Sequence, residues 1–589
     1  MVLGRWCFAS RIRTSRGLSF RSRSSVMNRL ARVVRRGYLD WRLKRLRHYL
    51  EQTAHCARVQ RERLWEKLRL NADSDFGREH GFADIRTLQE YRQRVPIAGY
   101  EVFRPYVERV KQGATQALFG SGTKVLMFSM TSGTTAQSKY VPITNHFFRE
   151  YRRSWNYWGL ATFRDHPDLL SQYTLTLASA WDQFRTSADL PCGSISGLVA
   201  ETRPWISKSL FLLPTSLLKV KGTENKLYAA LRIAIASPRV GMIATANPLT
   251  LVNLARMADE EKERLIRDVR NGTLSSHIEI PSELRGILQS SWGGPQPQRA
   301  AELERIVATH GTLFPRDFWP HMSVVSVWMG GSVAAYLPKV REYFGAVPLR
   351  DHGLSASEGH LTSPMDDESC SGLLDYDSHY YEFVPVEEAE AANPIVLEAH
   401  ELEVGREYFI ILTTLSGLYR YDIHDIVRCD AYVGACPMLT FMHKGAHFSS
   451  LTGEKLSELQ VMQAVREGLR EVGLSLDHFT LLPVPGDPAF YRLLVEQSVS
   501  GEFAMQIEGA VDRALCRANC EYDDRRQSHR MGPVVVTRIP QRIWNEHRRR
   551  STAHEGADTY AYKHPFLAAK VEVAEYFRSV IVAASDAED

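Results

Sequence analysis

No acidic residue occurs before Asp40, no two cysteines are spaced as CxxC, and no stretch approaches the roughly 18 consecutive apolar residues of a membrane helix. The first absence confines the basic excess to the N-terminus. With a formal charge of only +5 over 589 residues, a general nucleic-acid surface is excluded. Residues 1–36, rich in Arg and Ser, read either as a transit peptide or as the leader of an over-extended reading frame whose start is Met27. No continuous apolar core follows the first basic residues, which argues against a secretory signal. The eight cysteines are scattered, the nearest pairs being Cys429 with Cys436 and Cys516 with Cys520, and no His stands at metal-ligand spacing. They read as free thiols in a reducing, cytoplasmic compartment. The sequon Asn271-Gly272-Thr273 then reads as a turn ending a helix, without a glycan. No membrane partner is expected.

The chain is long enough for more than one domain, and its 44% hydrophobic and 24% charged residues are those of an ordinary globular protein. Residues 39–70 carry apolar side chains at helical spacing among Arg, Lys and Glu, and predict one or two amphipathic helices. Short apolar runs at 239–245, 323–328 and 408–413 predict strands, and they alternate with helical stretches such as 248–270. That alternation argues α/β architecture. From 437 to 453 the texture turns Gly/His/Ser/Thr-rich, as in a connector. Beyond it Leu456, Leu459, Met462, Val465, Leu469 and Val472 mark a helix face. Strands at 478–484 and 489–496, a helix at 502–519 and a strand at 534–539 complete a small α/β unit. The expected organisation is a basic extension (1–26), a large α/β domain (27–437), a hinge (438–453) and a smaller, mobile α/β domain (454–589).

What the chain has in unusual density is hydroxyl groups around one glycine. Residues 130–144 read MTSGTTAQSKYVPIT, with Ser132, Gly133, Thr134 and Thr135 followed by Lys139. Backbone N–H and side-chain O–H groups around a glycine can enclose phosphate oxygens while a lysine neutralises their charge. A Walker loop is excluded, because that motif places its Lys directly after the last Gly and here five residues intervene. A strand at 125–128 opening this loop, and a helix from Thr144 or Asn145 to about Thr162, would aim donors at an anion. Phe147, Phe148, Tyr151, Trp155 and Trp158 on that helix read mainly as core.

Four further clusters follow in order. Trp328-Met329-Gly330-Gly331-Ser332 pairs glycines after a strand, where a flat ring can approach the backbone. Gly353 to Gly359 sets Ser357 beside Glu358, a hydroxyl and a carboxylate that can hold magnesium. The stretch GLYRYDIHDIVR at 417–428 carries Asp425, a carboxylate able to accept two ribose hydroxyls, and Lys444 and Lys563 lie further on. Each alone is an ordinary turn, loop, charged hairpin or surface lysine.

In this order, together with YEFVP at 381–385 and YKHP at 562–565, the clusters resemble the adenylate-forming superfamily and, within it, the Gretchen Hagen family of acyl acid amido synthetases. The resemblance runs from about Tyr91 to Phe566, and GEKLSE at 453–458 has the look of a bacterial member. It implies the adenylate-forming fold, a large N-terminal α/β domain with a mobile C-terminal one. It also implies use of ATP and Mg²⁺ to adenylate a small carboxylic acid, then transfer to an amino acid or other amine, by a monomer. Residue by residue it implies that Ser132, Gly133, Thr134, Thr135 and Lys139 bind phosphates, that Gly330, Gly331 and Ser332 contact adenine, and that Ser357 and Glu358 serve phosphate and metal. Asp425 matches the ribose carboxylate, Lys444 a basic hinge residue contacting the nucleotide, and Lys563 a lysine that reaches the phosphate when the small domain closes. Lys139, Glu358 and Lys563 are the expected catalytic groups. The chain departs from the family at Leu354, where an adenine-stacking Tyr is usual, at His424, where a Gly precedes the ribose Asp, and at His443-Lys444, where the hinge has an Arg. The phosphate loop is also one residue shorter than in plant members. His352 and His424 are candidate bases that read better as structural. Two other readings stay open: a ligase passing the acyl group to coenzyme A, and a catalytically silent protein that binds nucleotide or acid. The walls of an acid pocket are expected within 154–213 and 322–328.

Overall fold

The computed structural model describes residues 20–131, 139–291, 293–388, 391, 393–445, 448–449, 451–452, 454, 456–486, 488–528, 530–552 and 563–585. The chain opens on two helices, Phe20–Gln52 and Cys56–Leu70, as the spacing of their apolar residues predicts. They lie against a seven-stranded sheet in which Thr362–Ser363, Gly372–Leu374, Cys436–Lys444, Tyr421–Val433, Glu407–Thr413, Tyr380–Pro385 and Leu397–Glu398 are neighbours in that order. Every pairing in it is antiparallel. A second sheet is parallel throughout: Tyr173–Thr176, Val240–Ala244, Val324–Ser326 and Leu349–Arg350. The helix-strand alternation of 173–350 is what makes this sheet parallel, because parallel neighbours need a crossover between them.

Apolar side chains gather into two large cores. One joins the entry helices, through Leu46, Leu64 and Leu68, to Phe383, Ile410 and Val427 of the seven-stranded sheet. The other surrounds the parallel sheet, with Ile243 and Val325, and continues without a break into Val461, Leu481, Tyr491 and Val511 of the C-terminal unit. That unit is a three-stranded sheet (Thr480–Val484, Phe490–Glu496, Val535–Ile539) covered by helices Glu458–Glu471 and Gly501–Ala518. Ser457 caps the first of these helices in a reciprocal box with Gln460. An ion pair between Arg256 and Asp477, at 2.6 Å, also ties the parallel-sheet region to the C-terminal unit.

Two local readings are corrected. The strand Val125–Thr131 does not lead through the hydroxyl-rich loop into a helix. It pairs antiparallel with Lys139–Thr144, and Asn145–Asp165 begins only after this second strand; the loop residues themselves lie outside the described residues. Thr144 caps that helix, accepting from the Phe147 amide at 3.0 Å while its hydroxyl donates to the Leu415 carbonyl at 2.9 Å. The first part of the expected connector is likewise not a connector: Cys436–Lys444 is a full strand paired with Tyr421–Val433. The expected helix-ending turn is present, with Gly272 closing Lys262–Asn271 in the left-handed region at φ 67°. Cys56, Cys192, Cys370, Cys429, Cys436 and Cys516 are free thiols. Among the described residues no helix is long and apolar enough to cross a membrane.

Candidate functional site

The second hairpin strand starts at Lys139, and Tyr100 fixes it there. The Tyr100 hydroxyl accepts from the Tyr140 amide at 2.9 Å and donates to the Tyr140 carbonyl at 2.8 Å. Lys139 Nζ lies 3.5 Å from Tyr421 Oη, and that hydroxyl donates to Glu358 Oε1 at 3.4 Å. Tyr421 is therefore the link between a lysine and a carboxylate that are 219 positions apart (358 − 139). Burial and the neighbouring Glu358 raise its phenol well above the ordinary value, so it stays protonated and donates.

Glu358 is buried, and that burial raises its carboxyl while Lys444 and Lys139 pull it back down. Burial lowers the Lys139 ammonium, opposed by Glu358 and reinforced by Lys444. Ser357, next to Glu358, accepts at 2.9 Å from Ser129 on the first hairpin strand. Asp425 and Lys444 face each other across two paired strands, and Lys444 Nζ meets Asp425 Oδ1 at 2.6 Å and the Ile423 carbonyl at 3.2 Å. Asp425, the expected ribose acceptor, thus already holds a cation with one of its oxygens.

From the C-terminal unit comes Lys563, whose Nζ sits 4.5 Å from the centre of the Trp328 ring. Its ammonium is lowered by burial and by Lys444, and supported by Asp425 and Glu458. Trp328 opens the turn that carries Gly330 and Gly331. Gly331 has φ +60°, and a Cβ there would lie 3.1 Å from the Phe441 ring. The position therefore needs glycine on both conformational and steric grounds.

Of the residues singled out in the sequence, Lys139, Ser357, Glu358, Asp425, Lys444, Lys563, Gly330 and Gly331 come together in this region. Ser132, Gly133, Thr134 and Thr135 lie outside the described residues, and of Ser332 only the backbone is described. The hydroxyls of Tyr421, Tyr100 and Ser129 were missed, because their partners are distant in sequence and no local pattern announces them. The two candidate histidines have other partners. His352 is enclosed edge-on by Trp155 and Trp158, and burial takes it down to about 3. His424 is mostly exposed and paired with Asp422 at 2.9 Å. Its φ of +59° explains the departure at this position, which favours glycine and here is filled by another residue at some conformational cost.

Among the described residues no group of three His, Cys, Asp or Glu could hold a metal ion on its own. Magnesium, however, is commonly bound through one or two carboxylates plus substrate phosphates. Glu358 suits that mode: it is 4% exposed and its Oε1 accepts a long hydrogen bond from the Tyr421 phenol.

The fold and this convergence of lysines around buried carboxylates define a class, that of two-unit α/β proteins with the architecture of acyl acid amido synthetases. A solved acyl acid amido synthetase structure in complex with 2,4-DB superposes with TM-score 0.79 at 18% identity, covering 91% of this chain and 96% of that one. The chain belongs to the GH3 family: the family's N-terminal domain model matches residues 45–349, its central domain 372–444 and its C-terminal domain 459–572. Relatives include the indole-3-acetic acid-amido synthetase GH3.10 of Arabidopsis thaliana, 25% identical over 70% of this chain and 75% of that protein. Another is the jasmonoyl-L-amino acid synthetase JAR4 of Nicotiana attenuata, 24% identical over 82% of this chain and 86% of that protein.

Proposed function

We propose that the protein is an ATP-dependent acyl acid amido synthetase, which activates a small carboxylic acid as its adenylate and passes the acyl group to an amino acid amine. A carboxylate resists attack by an amine because it is already negative and has no leaving group. In the first step the acid's oxygen attacks the α-phosphorus of ATP and pyrophosphate leaves. In the second the amine attacks the acyl carbon, AMP leaves with the bonding electrons, and the amine gives up a proton. Charge builds on the phosphate oxygens in the first step, and fixed cations meet it at no reorganisation cost.

The observation that carries this reading is the meeting of Lys139, Lys444 and Lys563, from three separate segments, around the carboxylates of Glu358 and Asp425. Lys139 and Lys563 hold the phosphates. Gly330 and Gly331 receive the adenine, Leu354 giving apolar contact in place of a stacked ring. Asp425 binds the ribose with the oxygen that Lys444 does not occupy. Glu358 would hold a magnesium ion, which when bound supplies positive charge to the phosphates. The C-terminal unit turns about the segment after Lys444 between the two steps, breaking the Lys563–Trp328 contact.

The test is product analysis: with ATP, magnesium and a panel of acids and amino acids, an amide and AMP are expected. A thioester formed with coenzyme A in preference to any amide would overturn the assignment of the acceptor.

A further inference from the structure

Two loops of the proposed nucleotide site, Trp328 to Gly331 and Gly353 to Glu358, leave the same edge of the parallel sheet. The strands before them, Val324–Ser326 and Leu349–Arg350, are neighbours, with Ser326 opposite Arg350. The first residue after the second strand is Asp351, only 1% exposed. Its Oδ2 accepts the Met329 amide at 2.6 Å, and its Oδ1 accepts the Gly353 amide at 2.6 Å. Its own carbonyl accepts Trp158 Nε1 at 2.8 Å, so the residue is held from a third side by the helix Asn145–Asp165. Gly353 turns at φ +76°, and a Cβ there would strike the Thr362 carbonyl, so the chain folds back at once into the Ser357–Glu358 loop.

We propose that Asp351 is a positioning residue, a two-oxygen staple whose carboxylate sets the adenine turn and the phosphate-metal loop at a fixed separation so that one nucleotide can span both. This rests on the function proposed above. Neither loop has another described tie of this kind to the other, and a carboxylate offers each of the two N–H groups an oxygen of its own. Burial pushes the carboxyl up to about 7, against the pull of the Met329 and Gly353 amides. The side chain is thus held in an apolar place by the hydrogen bonds it accepts there, those of the Met329 and Gly353 amides first and those of Cys370 and the Gly330 amide beside them.

Asp351→Asn keeps the shape but replaces one acceptor by an NH₂ group facing an N–H group. One amide is left unpaired, so the tie between the two loops is broken and neither is held against the other. The measurement is steady-state kinetics of wild type and variant with thermal unfolding as control. It is paired with hydrogen exchange of the peptides covering 327–331 and 353–358. The proposal expects KM for ATP to rise about ten- to a hundredfold, the cost of one unpaired buried amide, with KM for the acid held within about twofold and both peptides losing protection. An unchanged KM for ATP overturns it, and so does an equal rise in both KM values, which would mean a general loss of structure. If the wild type neither binds nor uses ATP, the proposed function fails, and the exchange data then decide the staple alone: protection lost in both peptides keeps it, in one or neither rejects it. Should Asp351→Asn not fold, Asp351→Ser, which adds no bulk and keeps a single acceptor, takes its place with the same expected outcomes.

Discussion

The two faces of the site are built on opposite principles. One face is charged: Glu358, on a loop that leaves the parallel sheet, and Asp425 and Lys444, on the antiparallel sheet, are held by side-chain partners, and Lys139 by the hydroxyl of Tyr421. The face at the end of the parallel sheet is a glycine turn under Trp328, shaped by backbone and rings. Charge recognises phosphate from any direction, while a flat base needs a surface with no Cβ in the way. The difference teaches that the first face should govern rate and the second nucleotide affinity. Lys563 alone serves both, being stacked on Trp328 yet within reach of the field of Asp425.

The largest break in the comparison is expected from Lys139→Ala. Removing a fixed charge at developing negative charge costs about a hundred- to a thousandfold in kcat, read from the rate of adenylate formation. Tyr421→Phe keeps the ring and removes only the link between Lys139 and Glu358. A fall in kcat of about three- to tenfold is expected, the worth of one hydrogen bond, and a fall in ATP affinity instead would erase the division between faces. Gly331→Ala attacks the other face. Forcing a Cβ into the left-handed region costs about 1–2 kcal/mol, so KM for ATP should rise about tenfold with kcat little changed.

A subtler break uses pH. Lys444 pushes the ammonium groups of both Lys139 and Lys563 down. Both groups are charged below their lowered values, and their contribution is lost as pH rises through them. The alkaline limb of the kcat profile should accordingly lie below the ordinary lysine value and move to higher pH in Lys444→Gln. A limb that stays in place would remove Lys444 from this coupling. The smallest effect is Thr144→Ala, which deletes a helix cap between the faces. About 1 kcal/mol of stability should be lost in urea unfolding, without change in either kinetic constant.

Much of this was legible in the sequence where the signal is local. The entry helices, the cap at Thr144, the strands at 240–244 and 324–326, and the three strands and first two helices of the C-terminal unit follow from periodicity and capping residues, whereas its helices Cys520–Gln527, Arg542–Thr552 and Val571–Ser585 do not. The hairpin was not, because a glycine-centred loop after a strand leads equally well into a strand or a helix. The strand Cys436–Lys444 reads as connector because it carries polar residues such as Thr440 and His443, and it is recognisable only from its partner. Among the site residues the lysines and carboxylates stood in recognisable order. The Tyr421 link and the Asp351 staple did not, since each depends on groups brought close by the tertiary fold. His424 shows the reverse: its odd place in the motif was visible at once, and the positive φ behind it only in the structure.

The central claim is that the charged face activates an acid with ATP. The most direct measurement is acid-dependent exchange between ATP and pyrophosphate in the presence of Mg²⁺, over a panel of aryl and fatty carboxylic acids, with Lys139→Ala alongside. The account predicts exchange with at least one class of acid that the variant has lost by a hundredfold or more. Exchange of equal rate in the variant, or none with any acid together with no ATP binding, would contradict it.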